Sequence, residues 1–193
     1  MLQTLWPVAF IAAVSLGCAP IVPRPDVQSS SPVSDTRYLL PFPVGDSAKL
    51  IQGNNGPYGH QGHAQHAFDF IRPLRSPVTA ARSGRIVAVE GRYVDGNRTP
   101  GQENFVVVLH DDSTFGRYYH LTQSGAAVAP GVRVVAGQVI GHSGNTGASA
   151  GPHLHFDVTR GCFAWGCQTV TLRFSNAGSD TLVAGRTYYA SAY

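Results

Sequence analysis

A glycine-rich run passes directly into alternating polar and apolar residues in the segment Ser143–Val158, which reads SGNTGASAGPHLHFDV. Such alternation is typical of a half-buried β-strand, in which side chains two residues apart share a face. The pattern predicts that His153 and His155 point one way, and that Leu154 and Phe156 point into a core. Two imidazoles on one rigid strand indicate either a metal site with an acid–base neighbour or a pair of surface histidines on an edge strand.

The composition favours β-structure with many turns. The chain has 22 glycines and 13 prolines among 193 residues, and its valines, tyrosines and phenylalanines come in short runs. Regularly spaced strands without intervening helices predict a mainly antiparallel β-sheet domain with glycine-rich loops. The net charge of +3 is too small, and the basic residues are too scattered, to indicate a nucleic-acid partner.

The N-terminus carries an uncharged apolar run, Leu5–Leu16, followed by Gly17 and Cys18. It resembles a secretory signal with a lipoprotein cleavage box, in which Cys18 becomes the lipid-bearing first residue. The run lacks the lysine or arginine expected at the start of a signal peptide, so a cleaved signal without lipid and an uncleaved anchor are the alternatives. Pro7 and Pro20 argue against a membrane-spanning helix.

Three parts of the chain follow from this interpretation. Residues 1–17 are a signal peptide, and residues 18–36 are a lipidated N-terminus and flexible linker rich in proline and serine. Residues 37–193 form the globular domain. The protein is therefore expected to be exported to the cell envelope and anchored there to a membrane, facing the periplasm if the cell is Gram-negative.

A carboxylate lies between two aromatic residues in the strand-like stretch Ala67–Ile71, where Asp69 separates Phe68 from Phe70. Burying a carboxylate is costly unless it is paired or bound to a cation. Asp69 either faces solvent on a half-exposed strand or binds a metal, and the histidines just upstream favour the metal. These histidines are His60, His63 and His66.

Several further features complete the pattern. Asn104–His110 and Gly116–Leu121 are strand-like, with His120 at the end of the second, and Tyr93–Glu103 is a polar loop expected at the surface. Cys162 and Cys167 are close in sequence, which predicts a local disulfide in an oxidising compartment, with two free thiols as the alternative. His110 and His142 are expected to be structural.

Three separated stretches together resemble the LytM/lysostaphin-type zinc metalloendopeptidases, which cut peptide links in bacterial cell walls. The resemblance covers roughly residues 39–158, and the order and spacing of the motifs agree. The stretches are His60-x-Gly62 leading to Ala67–Phe70, then Tyr119–Leu121, then Gly141–Gly147 continuing into Gly151–Phe156.

Two positions depart from the usual family pattern. Many relatives place the first ligand histidine four residues before the aspartate, where this chain has Gln65. A branch of the family has His-x-Gly further upstream, which points to His60, with His63 and His66 as rival candidates. Asp157 stands where the family usually has glutamate.

The resemblance implies a β-fold of the duplicated-hybrid-motif kind and a zinc ion held by His60, Asp69 and His155, with water in the fourth position. Two imidazoles and one carboxylate are a known catalytic zinc ligand set. No H-E-x-x-H motif supplies a glutamate base, so His120 and His153 are the acid–base candidates. One would take the proton of the attacking water and the other would stabilise the oxyanion or leaving group; the sequence leaves open which does which.

The predicted function is hydrolysis of peptide bonds in peptidoglycan stem peptides or cross-bridges by a monomeric zinc endopeptidase. Two alternatives remain: a non-catalytic cell-wall-binding module or hydrolase activator on the same fold, and a periplasmic metal-binding protein. The bond that is cut, and any occlusion of the site by the linker or by Tyr93–Glu103, are left open.

Overall fold

A computed structural model describes residues 37–193. The predicted signal peptide, lipidated Cys18 and linker lie outside the described residues. Within the described part, no helix is long and apolar enough to cross a membrane.

The regular secondary structure of the described residues consists of thirteen strands and one short 3₁₀ helix, Gly62–Ala64. The strands are β1 (Arg37–Tyr38), β2 (Ser47–Gln52), β3 (Phe68–Ile71), β4 (Pro77–Thr79), β5 (Gly84–Glu90), β6 (Phe105–Leu109), β7 (Thr114–Tyr119), β8 (Leu121–Ala126), β9 (Arg133–Val134), β10 (Val139–Ser143), β11 (His153–Arg160), β12 (Arg173–Phe174) and β13 (Thr187–Tyr189).

The main sheet has eight strands in the order β13-β2-β3-β11-β7-β6-β5-β9, and every neighbouring pair in it is antiparallel. A three-stranded antiparallel sheet, β4-β10-β8, and a short parallel pair, β1-β12, complete the domain. The prediction of a mainly antiparallel β-sheet domain is confirmed.

Strand β11 lies in the interior of the main sheet, between β3 and β7. Its alternation follows the predicted pattern, because Leu154, Phe156 and Val158 belong to the hydrophobic core, whereas His153 and His155 belong to the other face. Each fully buried aliphatic or phenylalanine side chain of this kind contributes about 1.5–3 kcal/mol of transfer free energy. The two histidines therefore lie on a central strand, and the edge-strand alternative is wrong.

The register of the main sheet decides which polar side chains meet. His155 of β11 is directly opposite Asp69 of β3 on one side and Tyr119 of β7 on the other. Directly opposite side chains on antiparallel strands lie within contact distance of each other. The sheet thus brings together residues that are 86 positions apart in the chain.

Candidate active site

Three side chains converge with one donor atom each: Nε2 of His60, Oδ1 of Asp69 and Nδ1 of His155. Their separations are 3.2 Å for His60–Asp69, 2.9 Å for His155–Asp69 and 3.3 Å for His60–His155. Zinc with bond lengths of about 2.0–2.1 Å in tetrahedral geometry requires donors roughly 3.3 Å apart. The triangle of donor atoms therefore fits a small divalent cation without rearrangement of the backbone.

Each of the three residues is oriented by a further hydrogen bond at its other polar atom. Nδ1 of His60 donates to the carbonyl of Gly53 at 3.0 Å, which leaves the Nε2 electron pair facing the cluster. Nε2 of Gln52 donates to Oδ2 of Asp69 at 3.1 Å, and Nε2 of His155 donates to Oδ2 of Asp157 at 3.1 Å. Partners of this kind fix the tautomer and ring orientation of metal ligands.

The charges in the cluster favour a cation. Burial alone would raise the pKa of Asp69, but the hydrogen bonds from His155 and His60 lower it far below its usual range, so the carboxylate stays ionised. Burial alone would lower the pKa of His155, but the hydrogen bonds to Asp157 and Asp69 raise it to about 9. A metal that binds at Nδ1 of His155 takes the place of that proton, so metal binding and proton release are coupled.

A buried arginine lies behind the cluster and holds Asp157. Nε and Nη2 of Arg117 donate to the two carboxylate oxygens of Asp157 at 2.6 and 2.8 Å, and Nη1 donates to the carbonyl of Ala164 at 2.8 Å. Burial alone would raise the pKa of Asp157, but the bonds from His155 and Arg117 lower it. Asp157 is therefore a fixed anion that orients His155.

The two acid–base candidates lie together beside the cluster, with their ring centroids 4.5 Å apart. Nδ1 of His120 donates to the carbonyl of Thr146 at 2.7 Å, and Nδ1 of His153 donates to the carbonyl of Gly151 at 2.8 Å. With Nδ1 as the donor, the neutral form of either ring has its electron pair on Nε2. Nε2 of His153 lies 3.8 Å from Oδ1 of Asp69, next to the metal-binding triangle.

His120 reaches the site through an unusual backbone conformation. Its φ of 61° is in the left-handed region, which is uncommon for residues other than glycine. Adjacent residues of a regular strand point to opposite faces, but this turn between β7 and β8 lets both Tyr119 and His120 line one cavity. Burial, with the neighbouring His153 and His155, lowers the pKa of His120 to about 3, so its imidazole is neutral.

The polar loop Tyr93–Glu103 packs along the glycine-rich loop that precedes β11. Side-chain oxygens of Asp95, Asn97 and Glu103 accept hydrogen bonds from the backbone N–H groups of Asn145, Gly147 and Ala148 at 2.7, 2.7 and 3.0 Å. These bonds hold the segment whose Thr146 carbonyl fixes the proton of His120. The predicted surface loop therefore helps to position His120 by holding the glycine-rich loop in place.

Two glycines allow close approaches of the glycine-rich loop to its neighbours. Gly147 has a φ of 76°, and a Cβ atom there would lie 2.3 Å from Cγ of Glu103. A Cβ atom at Gly144 would lie 2.2 Å from the backbone nitrogen of Thr122 in β8. A side chain at position 147 would push the two loops apart, and a side chain at position 144 would push the glycine-rich loop away from β8.

The cluster opens into a groove with a volume of about 840 Å³, which His60, Asp69, His120, His153 and His155 all line. The remaining histidines lie elsewhere. The ring of His63 contacts Trp165, and Nε2 of His66 is close to the amide of Gln65, so neither supplies a donor atom to the triangle. His110 and His142 hydrogen-bond the carbonyls of Ser83 and Gly125.

Cys162 and Cys167 form a disulfide, as predicted from the sequence. It closes a short loop directly after β11, and Trp165 within this loop lines the groove.

Sequence reasoning missed Gln52 and Arg117, and it noted Asp157 only as a departure from the family pattern, without its contact to His155. Alternation along β11 places Asp157 on the same face as His155, and that signal could have indicated the contact. Arg117 is opposite Asp157 only because of the β7–β11 register, which the sequence does not specify. Gln52 is opposite Asp69 at an irregular step of the β2–β3 pairing.

Two histidines and an aspartate point into a groove, and two further histidines lie beside them. Three protein ligands with an open position are typical of catalytic metal centres. The family model described as Peptidase family M23 matches residues 63–165, which is more than half of the chain. The chain therefore belongs to peptidase family M23.

Curated relatives agree with this assignment. The peptidoglycan DD-endopeptidase ShyA of Vibrio cholerae is 37% identical over 90 residues, which cover 47% of this chain and 19% of the relative. Lysostaphin of Staphylococcus simulans is 38% identical over 105 residues, which cover 52% of this chain and 20% of the relative. The matched region thus spans about a fifth of the length of these two relatives.

Among solved structures, a mutant form of the catalytic domain of the prophage-encoded M23 protein EnpA from Enterococcus faecalis superposes with a TM-score of 0.52 at 23% identity. The match covers 67% of this chain and 93% of that domain. This similarity concerns the fold.

Proposed function

We propose that this protein is a zinc metalloendopeptidase that hydrolyses peptide bonds in bacterial peptidoglycan. The observation that carries the proposal is the triangle of donor atoms on His60, Asp69 and His155, with His120 and His153 beside it in one groove. The names of the relatives support the substrate, since ShyA is a peptidoglycan DD-endopeptidase.

Zinc is the metal that fits two imidazoles and one carboxylate at these separations, and when bound it acts as a Lewis acid that polarises a carbonyl and makes water more acidic. His60, Asp69 and His155 would hold it, and Gly53, Gln52 and Asp157 would orient them.

His153 is the group to which we assign the proton of the attacking water, because its Nε2 electron pair lies beside Asp69. Gly151 holds the other ring nitrogen, so the ring is presented in a single tautomer. The proton then passes from Nε2 to the nitrogen of the departing peptide.

We assign His120 the role of orienting the water or the substrate rather than of donating a proton. An imidazole with a pKa near 3 stays neutral and offers an electron pair. Its Nε2 can accept a hydrogen bond from the attacking water or from a substrate N–H. The Thr146 carbonyl keeps the only ring proton on Nδ1.

The proposal is tested by incubating the protein with purified sacculi of known cross-link chemistry and analysing the released muropeptides by mass spectrometry. We expect zinc-dependent release of peptide fragments, and their masses identify the bond that is cut. Changing His153 to alanine should lower the rate by about 10²–10⁴-fold while zinc stays bound, since general base catalysis is worth that much.

His142→Ala is the matched control, because His142 hydrogen-bonds Gly125 and does not line the groove; its release rate should equal that of the wild type. Zinc-loaded protein that leaves sacculi of several cross-link types intact would favour the non-catalytic cell-wall-binding module instead.

The exported, lipid-anchored state is also a proposal, supported by the apolar run Leu5–Leu16 and by Gly17 before Cys18. After cell lysis and detergent phase separation, the wild-type protein should enter the detergent phase and carry the added mass of a lipid on Cys18, and Cys18→Ser should lack that mass. Wild-type protein without the added mass would contradict lipidation at Cys18.

A further inference from the structure

The disulfide-closed loop Cys162–Cys167 presents one tryptophan to the groove. Trp165 is 76% exposed, yet it lines the same cavity as His60, Asp69 and His155. Tryptophan is one of the residues enriched among those that contribute most to binding at interfaces. The loop therefore presents a side chain whose position and chemistry suit contact with whatever lies across the metal centre.

Several contacts hold this loop in place before any ligand arrives. The disulfide joins its ends, and Nη1 of Arg117 donates to the carbonyls of Phe163 and Ala164 at 3.3 and 2.8 Å. The hydroxyl of Thr159 donates to the carbonyl of Cys162 at 2.6 Å. A contact surface that is already ordered loses little conformational entropy when it binds.

Two aromatic contacts also hold the loop. The ring centroids of Phe163 and Phe115 are 5.4 Å apart, and those of Trp165 and His63 are 5.4 Å apart in an edge-to-face arrangement. His63, which the sequence offered as a rival metal ligand, thus packs against the tryptophan instead.

The charges of the groove indicate what kind of segment it accepts. Among the described residues that line it there are two carboxylates, Asp69 and Glu103, and there is no lysine or arginine. Its wall also includes the exposed apolar side chains of Ile51 and Ile71 and the 84% exposed ring of Tyr58. Beyond the histidines of the metal centre, a peptide carboxylate would find no cationic side chain along this wall, whereas an uncharged segment would bury apolar surface.

We infer that Trp165 is a substrate-binding residue whose indole packs against an uncharged segment of the cell-wall peptide, next to the bond that lies at the metal centre. The inference rests on the proposed function, and it assigns to the disulfide the role of holding a specificity-determining side chain. Recognition by this wall then comes from apolar contact rather than from ion pairing with a lysine or arginine.

Steady-state kinetics on soluble cross-linked muropeptides test this role. Trp165→Ala should raise KM about tenfold or more with kcat within about twofold, as expected when an interface tryptophan is truncated. Trp165→Phe should recover part of the loss, and zinc content should be unchanged in both. Tyr189→Ala is the matched control, because Tyr189 is 67% exposed on β13 and does not line the groove. An unchanged KM in Trp165→Ala would overturn the inference.

Substrate charge gives a second comparison. Muropeptides whose stem carboxylates are amidated should have a lower KM than the same muropeptides with free carboxylates. The opposite order would show that the groove selects an anionic segment and that the proposed selectivity is wrong.

Tryptophan fluorescence separates binding from hydrolysis. The chain has two tryptophans, Trp6 and Trp165, so Trp6→Phe in the full chain makes Trp165 the sole reporter. With His153→Ala added to prevent turnover, muropeptide should shift the emission to shorter wavelength and protect it from acrylamide quenching. Emission that is unchanged while the wild type hydrolyses the same muropeptide would refute the inference alone, whereas a shift without any wild-type hydrolysis would refute the proposed function.

Discussion

Replacing His155 by alanine is expected to abolish zinc binding and muropeptide release together. Nδ1 of His155 is one of three protein donors in the triangle, and its ring also links Asp69 to Asp157. Loss of an outer hydrogen-bond partner already weakens zinc affinity by about 10–100-fold, so loss of a ligand should weaken it by more than about 100-fold. Zinc content measured by mass spectrometry after dialysis, together with the release assay, gives the result.

Asp69→Asn should have the same effect, because it keeps the size of the side chain but removes the charge that favours the cation. The chain provides close controls in His63→Ala and His66→Ala, which change histidines of the same segment that lie outside the triangle. Both should keep zinc. Stoichiometric zinc in His155→Ala, or its loss in His63→Ala, would contradict the ligand assignment.

The sequence predicted the fold class and the shared face of His153 and His155, because both depend on local periodicity. Alternation of period two is visible in the residues of β11 themselves, and Leu154 and Phe156 are buried on the face that the pattern predicts. The same reasoning could not decide whether the strand was central or at an edge. That distinction depends on partners more than 30 residues away in the chain, β3 and β7.

Specific motifs were enough to name the residues of the triangle but not their contacts. His60 lies in a loop, and its donor atom meets Asp69 because Gly53 holds the other ring nitrogen. The left-handed conformation of His120 leaves no mark in the sequence, since glycine and asparagine are the usual residues there.

The role of the loop Tyr93–Glu103 was also hidden from sequence reasoning. Its polar composition is typical of a solvent-exposed loop, and three of its side chains instead bind backbone N–H groups of the glycine-rich loop. Polar residues are common both in loops that contact only solvent and in loops that bind the backbone of a neighbouring segment. Composition therefore does not distinguish the two cases, and only the packing of the two loops does.

Arg117→Met is expected to destabilise the domain and to weaken zinc binding. The substitution removes both hydrogen bonds from Arg117 to the buried carboxylate of Asp157, and leaves that charge with the single hydrogen bond from His155. Breaking a buried ion pair in this way costs about 3–5 kcal/mol. For a domain of this size the melting temperature should fall by roughly 6–20 °C, measured by calorimetry on protein stripped of metal with a chelator.

The double variant Arg117→Met/Asp157→Leu distinguishes the stability of the ion pair from its role at the metal centre. Replacing both charges by apolar side chains of similar size removes the uncompensated carboxylate, so the melting temperature of the metal-stripped protein should return close to that of the wild type. Zinc affinity should be about 10–100-fold below that of the wild type, because the second substitution removes the acceptor of Nε2 of His155. A double variant with full zinc affinity would show that Asp157 does not orient His155. A double variant as unstable as Arg117→Met would show that the buried charge is not the cause of the destabilisation. The lost hydrogen bonds from Arg117 to the carbonyls of Phe163 and Ala164 would then account for it.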